Sequence, residues 1–275
     1  MRIDAHQHYW KIKRGDYSWI TPEVTSLYRD FLPSDLQPYL NKYDIHQTIL
    51  VQAAPTIEET EYILQLSESN ESIAGVVGWL NLEDPHYKTQ YEAFRKHPKF
   101  IGFRLMIQDM EDASVVLTKP YIDALTFFAE EDVPIDLLVV HHQLPVLIKL
   151  LEEIPSLRGV IDHIGKPAIA AKEIDTWKQH IQKLATFETI YCKLSGMITE
   201  ADHKSWKKED FIPYIQVVLR AFGSKRVMFG SDWPVCNLAG SYDDVMGALT
   251  HALPTMTDQE EELLFGDNAK IFYKI

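Results

Sequence analysis

Arg2-Ile3-Asp4-Ala5-His6-Gln7-His8 opens the chain and decides how the rest is read. It makes a short strand that ends on two histidines two positions apart, and such side chains leave a strand on the same face. No glycine-rich turn follows it, as one would after the first strand of a doubly wound nucleotide-binding sheet. With 2–6 as the first, strand-like runs recur at 48–53, 73–80, 100–106, 134–140, 159–163, 190–194 and 227–231. Ile49-Leu50-Val51-Gln52-Ala53-Ala54 is almost wholly apolar, the pattern of a parallel strand covered on both faces. The stretches between are amphipathic. Thr56 and Glu59 have capping-box spacing, and Ile57, Tyr62, Ile63 and Leu66 follow at helical intervals. Ser34, Pro85, Gln143 and Pro213 mark further helix starts, 243–252 reads as a helix, and Thr257 with Glu260 caps a last one over 261–273. Eight β–α alternations predict an α/β fold. The expected form is a (β/α)8 TIM barrel, one domain over 1–275, with a long loop after strand 1 and an extra C-terminal helix.

The composition supports one full-sized soluble domain: 275 residues, 46% hydrophobic and 24% charged. Lys and Arg number 27 against 40 Asp and Glu, a net charge of −13 that disfavours nucleic acid and anionic membrane as partners. No apolar run approaches the ~20 residues of a membrane helix. The first strand begins directly after Met1, leaving no signal core. Two cysteines, Cys192 and Cys236, make no disulfide scaffold; they read as inert apolar residues in a reducing setting. A cytoplasmic location is expected, and a homo-oligomer is compatible with these features.

A barrel gathers its chemistry at the C-terminal ends of its strands. Strand 1 brings His6 and His8 there and strand 4 brings Arg104. Strand 5 is followed by His141 and His142. Strand 6 ends in Asp162-His163-Ile164-Gly165-Lys166-Pro167, strand 7 in Lys193-Leu194-Ser195-Gly196, and strand 8 in Gly230-Ser231-Asp232-Trp233-Pro234. Each has an ordinary alternative: Arg104 could pair with a structural carboxylate, Lys166 and Lys193 are expected to be solvated, and Asp232 could cap a loop. Their gathering at one barrel end favours a site. The other histidines, such as His46, His86 and His203, read as surface residues.

These motifs together resemble the amidohydrolase superfamily. More narrowly, Phe103-Arg104, Asp136-Leu137-Leu138-Val139, Cys192-Lys193-Leu194-Ser195-Gly196 and Pro234-Val235-Cys236 make the chain similar to its sugar-lactone hydrolases. The resemblance covers essentially the whole chain. It implies a catalytic set of Asp232, His163, His6 and His8. It also implies one divalent metal, zinc first, held by His6, His8, Asp232 and His163, with metal-free catalysis by the same residues as the alternative. No bridging lysine is evident, which argues against two metals. Ester opening needs a base for water, assigned to Asp232, and a positive partner for the oxyanion. Trp79, Trp233, Arg104, His142 and Lys166 are the expected groups for a sugar lactone, of which the L-fucono and L-rhamnono types come first. The aromatic loop 9–31, with Trp10, Tyr17, Trp19 and Tyr28, is either a lid or a packed brace. A metal-dependent decarboxylase of a ring acid and a non-catalytic sugar-acid binder are the rival classes.

Overall fold

A computed structural model describes residues 1–275. Its eight strands are β1 (Arg2–Gln7), β2 (Ile45–Val51), β3 (Ile73–Gly78), β4 (Phe100–Met106), β5 (Ile135–Leu138), β6 (Gly159–Ile161), β7 (Ile190–Leu194) and β8 (Val227–Phe229). They form a single sheet in sequence order, every pairing parallel. The helices α1 (Pro33–Lys42), α2 (Ile57–Glu68), α3 (Tyr87–Phe94), α4 (Lys119–Glu130), α5 (Leu144–Glu153), α6 (Asp175–Leu184), α7 (Ile212–Phe222) and α8 (Tyr242–Ala252) complete the eight βα units. The expected (β/α)8 barrel is therefore the fold. No helix is long and apolar enough to cross a membrane.

The circle closes between β8 and β1 by His8 N–H to Trp233 O at 2.7 Å and Asp232 N–H to His6 O at 2.8 Å. Asp4 reinforces the seam: its carboxylate accepts from Ser231 N at 2.8 Å, His6 N at 3.2 Å and Tyr242 Oη at 3.2 Å. From Asp4 to Gln7 the register advances three residues on β1 against two on β2, from Thr48 to Leu50. This bulge inserts one extra residue. Ile3 and Ala5 face the inner apolar cluster, and beyond the bulge His6 and His8 also face the interior.

The barrel floor is shut by the C-terminus. The extra helix is α9 (Asp258–Glu262), a π-helical turn Leu263–Asp267 and α10 (Asn268–Tyr273). Ala269, Phe272 and Tyr273 pack against Ile3, Ala5, Ile49, Val51, Val77, Val160 and Met228. The larger cluster lies between strands and outer helices.

Local signals succeeded unevenly. Thr257 and Glu260 do form the reciprocal box at α9. Thr56 caps α2 by accepting from Glu59 N at 3.1 Å, but the Glu59 carboxylate turns inward to accept from Ala53 N at 3.2 Å. β6 and β8 stop at Ile161 and Phe229, two residues short of the apolar runs, because the backbone there turns sharply to present side chains. The loop 9–31 is packed at its base, while its Trp19 and Tyr28 are each 42% exposed. Tyr9, Trp10 and Tyr17 are buried, and Trp10 pairs antiparallel with Phe31 and donates from Nε1 to Arg29 O at 2.9 Å.

Candidate active site

Four side chains from β1, β6 and β8 converge above the floor. Asp232 Oδ1 lies 3.3 Å from His8 Nε2, 3.8 Å from His6 Nε2 and 3.9 Å from His163 Nε2. His6 Nε2 and His8 Nε2 are 3.2 Å apart. Each ring is held from behind. His8 Nδ1 meets Val51 O at 2.8 Å, His163 Nδ1 meets Ser195 Oγ at 2.9 Å, and His6 Nδ1 meets Lys193 Nζ at 3.1 Å. Asp232 Oδ1 is buried without a hydrogen bond of its own. A buried carboxylate oxygen left open amid three imidazoles is a strong sign of chemistry, because structural groups are normally satisfied.

The backbone that makes this convergence is strained. His163, Ile164, Gly165 and Lys166 all have positive φ, and so does Asp232 at 57°. A β-branched isoleucine at φ 50° is a sterically costly choice, and such strain concentrates at functional sites. The close approach also requires glycines. A Cβ on Gly196, itself at φ +60°, would stand 2.5 Å from His163 Nδ1, and one on Gly230 would stand 2.6 Å from His6 Cβ.

Directly beneath lies a buried charge cluster. Lys193 is wholly buried, in contact with Asp136 and 3.1 Å from Asp162 Oδ1. Arg104 Nη1 is 3.6 Å from Asp162 Oδ2, and Tyr273 donates to Asp136 Oδ1 at 2.6 Å. Two cations thus face two carboxylates, the arrangement that makes buried charge tolerable. The expected solvation of Lys193 is corrected: its side chain points into the barrel, where burial leaves it no water and two carboxylates replace it. Arg104 pairs with a carboxylate, as its ordinary reading allowed, yet its Nε stays buried and unpartnered.

Electrostatics follow from this packing. Burial drives His6 and His163 well below the ordinary imidazole range, overriding the pull of Asp162 and Asp232 respectively. Burial works to raise Asp232, but His163, His8 and Lys166 outweigh it and hold the carboxyl below its usual value. At neutral pH the site therefore offers a carboxylate beside the neutral imidazoles of His6 and His163. Both cysteines are buried and free, their thiols raised by burial, which fits the inert reading.

The other expected groups are spread differently. Trp79 is half-buried at the end of β3, with its backbone N–H on Thr60 Oγ1. Lys166 sits at the rim, 3.5 Å from Glu200. Trp233 is only 2% exposed, its ring packed edge-on against Tyr9 and Phe31, so it braces the loop and presents no open face. His142 is exposed and lines a separate groove of about 670 Å³ with His141, Lys172, Trp177 and His180, none of which belongs to the Asp232 cluster. Sequence reading quoted Lys193, Asp136, Asp162 and Ser195 within its motifs but gave none of them a role in the site. The available signal was a lysine and an aspartate inside otherwise apolar strands, since charges there must be paired.

The residues fit a metal ion. Ligand atoms of His6, His8 and Asp232 lie within 4.8 Å of one another, and those of His6, Asp162 and His163 do as well. The Val51 carbonyl fixes hydrogen on His8 Nδ1 and leaves Nε2 able to ligate, the usual second contact of a metal-binding histidine. The orphaned Asp232 Oδ1 supplies a carboxylate donor.

A (β/α)8 barrel carrying His-x-His on its first strand, histidine after the sixth and aspartate after the eighth defines a hydrolase of the amidohydrolase type. The Amidohydrolase family model matches residues 3–275, and the chain belongs to that family. It is 36% identical to the L-fucono-1,5-lactonase of Burkholderia ambifaria over 100% of this chain and 96% of the relative. The L-fucono-1,5-lactonase of Burkholderia multivorans is 34% identical with the same coverage, 100% and 96%. The crystal structure of an amidohydrolase from Burkholderia multivorans with bound zinc superimposes with a TM-score of 0.93 at 35% identity, over 100% of this chain and 99% of that one. A dihydroxybenzoic acid decarboxylase from Polaromonas is 12% identical with a TM-score of 0.70 over 99% of this chain and 96% of that one, a likeness of fold alone.

Proposed function

We propose that the protein is a lactonase that opens a small aldonolactone, of the L-fucono or L-rhamnono type, to its sugar acid by attack of water. The observation that carries this reading is the buried, unpartnered Asp232 Oδ1 facing three imidazole nitrogens. The full-length lactonase relatives support the substrate class.

Asp232 is the general base. Its carboxyl is held low, so it is ionised at neutral pH and accepts a proton from water as the new C–O bond forms. The negative charge that develops on the carbonyl oxygen is met by hydrogen-bond donors of the histidine cluster, in a setting that excludes bulk water. The proton held by Asp232 then passes to the ring oxygen as the lactone C–O bond breaks. Water is consumed and a hydroxy acid released, so atoms and charge balance. His163 is steadied by Ser195 and faces Asp232 from β6. Trp79 and Arg104 are the groups for the sugar ring, an aromatic face and a fixed cation. His6, His8 and Asp232 would hold a divalent ion, with His163 beside them; imidazole and carboxylate donors suit zinc. Such an ion supplies Lewis-acid polarisation of the carbonyl when bound. The acidic surface and the free thiols favour a cytoplasmic enzyme acting on a small molecule, not on nucleic acid.

The test is a panel of aldonolactones read with a pH indicator, alongside phosphotriesters and ring carboxylic acids, with elemental analysis of the same preparation. The reading expects turnover of an aldonolactone above all others. Faster turnover of a ring carboxylic acid would transfer the site to a decarboxylase.

A further inference from the structure

Lys193 has three hydrogens and three neighbours: Asp136 Oδ2, Asp162 Oδ1 at 3.1 Å and His6 Nδ1 at 3.1 Å. An ammonium has no lone pair, so towards His6 it can only donate. Nδ1 of His6 is then the accepting nitrogen. Asp136, which seats the lysine, is itself anchored by Tyr273 from α10 at 2.6 Å. A second line of contacts agrees from the other side. His8 Nδ1 faces the Val51 carbonyl at 2.8 Å, which only accepts, so that nitrogen carries hydrogen and His8 Nε2 accepts. His6 Nε2 lies 3.2 Å from His8 Nε2, so a hydrogen on His6 Nε2 finds an acceptor there. The Lys193 contact places that hydrogen on His6, and the His8 contact accommodates it.

We propose that Lys193 is a positioning residue which, seated by Asp136 and Tyr273, keeps the hydrogen of His6 on Nε2, aimed where His8 and Asp232 converge. His6 thereby becomes the donor for the oxygen that gains charge during lactone opening. That catalytic consequence rests on the lactonase reading; the position of the hydrogen does not. A metal ion on His6 Nε2 would need the other tautomer, with hydrogen on Nδ1 towards Asp162 Oδ1 at 3.3 Å. Lys193 therefore makes His6 the least ready of the three ligands.

The experiment is long-range ¹H–¹⁵N correlation of the histidine rings in the full chain, treated with chelator. The wild type is expected to show His6 with hydrogen on Nε2, and Lys193→Met to move it to Nδ1. Lys193→Met should lower kcat about 10–100-fold with KM little changed, as misplacement of a reacting group does. It should also hold zinc about tenfold more tightly, on the scale of contacts behind a metal ligand. Where Lys193→Met does not fold, Tyr273→Phe loosens the seat more gently and should lower kcat with KM unchanged. A wild-type spectrum with hydrogen on His6 Nδ1 overturns the proposal, and so does zinc held no more tightly by a folded Lys193→Met. A wild type with hydrogen on Nε2 and no lactonase activity leaves Lys193 its role and removes the lactonase reading.

Discussion

At the floor of the barrel, Val77, Val160 and Met228 close on Phe272 and Tyr273 of α10, and the charges just above, Lys193, Arg104, Asp136 and Asp162, meet one another. At the mouth, Asp232 Oδ1 faces three imidazole nitrogens where Asp136 and Asp162 face a lysine or arginine, and the backbone of His163, Ile164, Lys166 and Asp232 is left-handed. The same strands carry both ends. The contrast shows where packing stabilises the fold and where stability is given up to hold reactive groups in place. It also predicts that changes in the apolar floor act on stability and changes at the mouth on turnover, while the charged layer between them, where Lys193 touches His6, reaches turnover from below.

Phe272→Ala should have the largest effect on the floor. A buried aromatic cut to alanine costs about 3–5 kcal/mol, read by denaturant unfolding. The molecules that remain folded should keep nearly normal KM. Unchanged stability would break the division of labour. At the mouth, Gly196→Ala forces a Cβ against His163 at a positive φ. A shift of that ring by about an ångström is expected to lower kcat/KM about hundredfold, while circular dichroism stays native. Wild-type kinetics would mean His163 has room to yield.

The two tryptophans sharpen the contrast within the mouth itself. Trp79→Ala should raise KM more than it lowers kcat, because a half-buried ring can cover the sugar. Trp233→Ala should instead lower the melting temperature, because its ring is locked between Tyr9 and Phe31. The reverse pattern would exchange their roles.

The smallest effect concerns pH. Burial pushes Glu59 from an ordinary 4.5 up to about 8. Between those values the folded protein keeps a proton that the unfolded chain loses, so this group's contribution makes stability fall as pH rises from 4.5 to about 8. Glu59→Gln should flatten that fall in melting temperature. An unchanged slope would place the proton elsewhere.

The barrel was legible because its strands are two-sided and apolar while its helices carry capping signals, and the histidines of β1 and Asp232 were legible because polar groups closed those runs. Lys193 was misread because a lysine near the end of a strand is expected to reach water until Asp136, 57 positions earlier, is brought against it. His142 and Trp233 followed the active motifs in sequence, but their side chains leave on other faces, which a strained turn does not disclose. The bulge in β1 was equally hidden, since only pairing with β2 defines it.

The most direct test compares the opening of L-fucono-1,5-lactone by the wild type and by Asp232→Asn under identical conditions. An amide cannot take the proton from water, so the account predicts a folded variant with kcat reduced about 10²–10⁴-fold. Turnover by Asp232→Asn close to that of the wild type would contradict it.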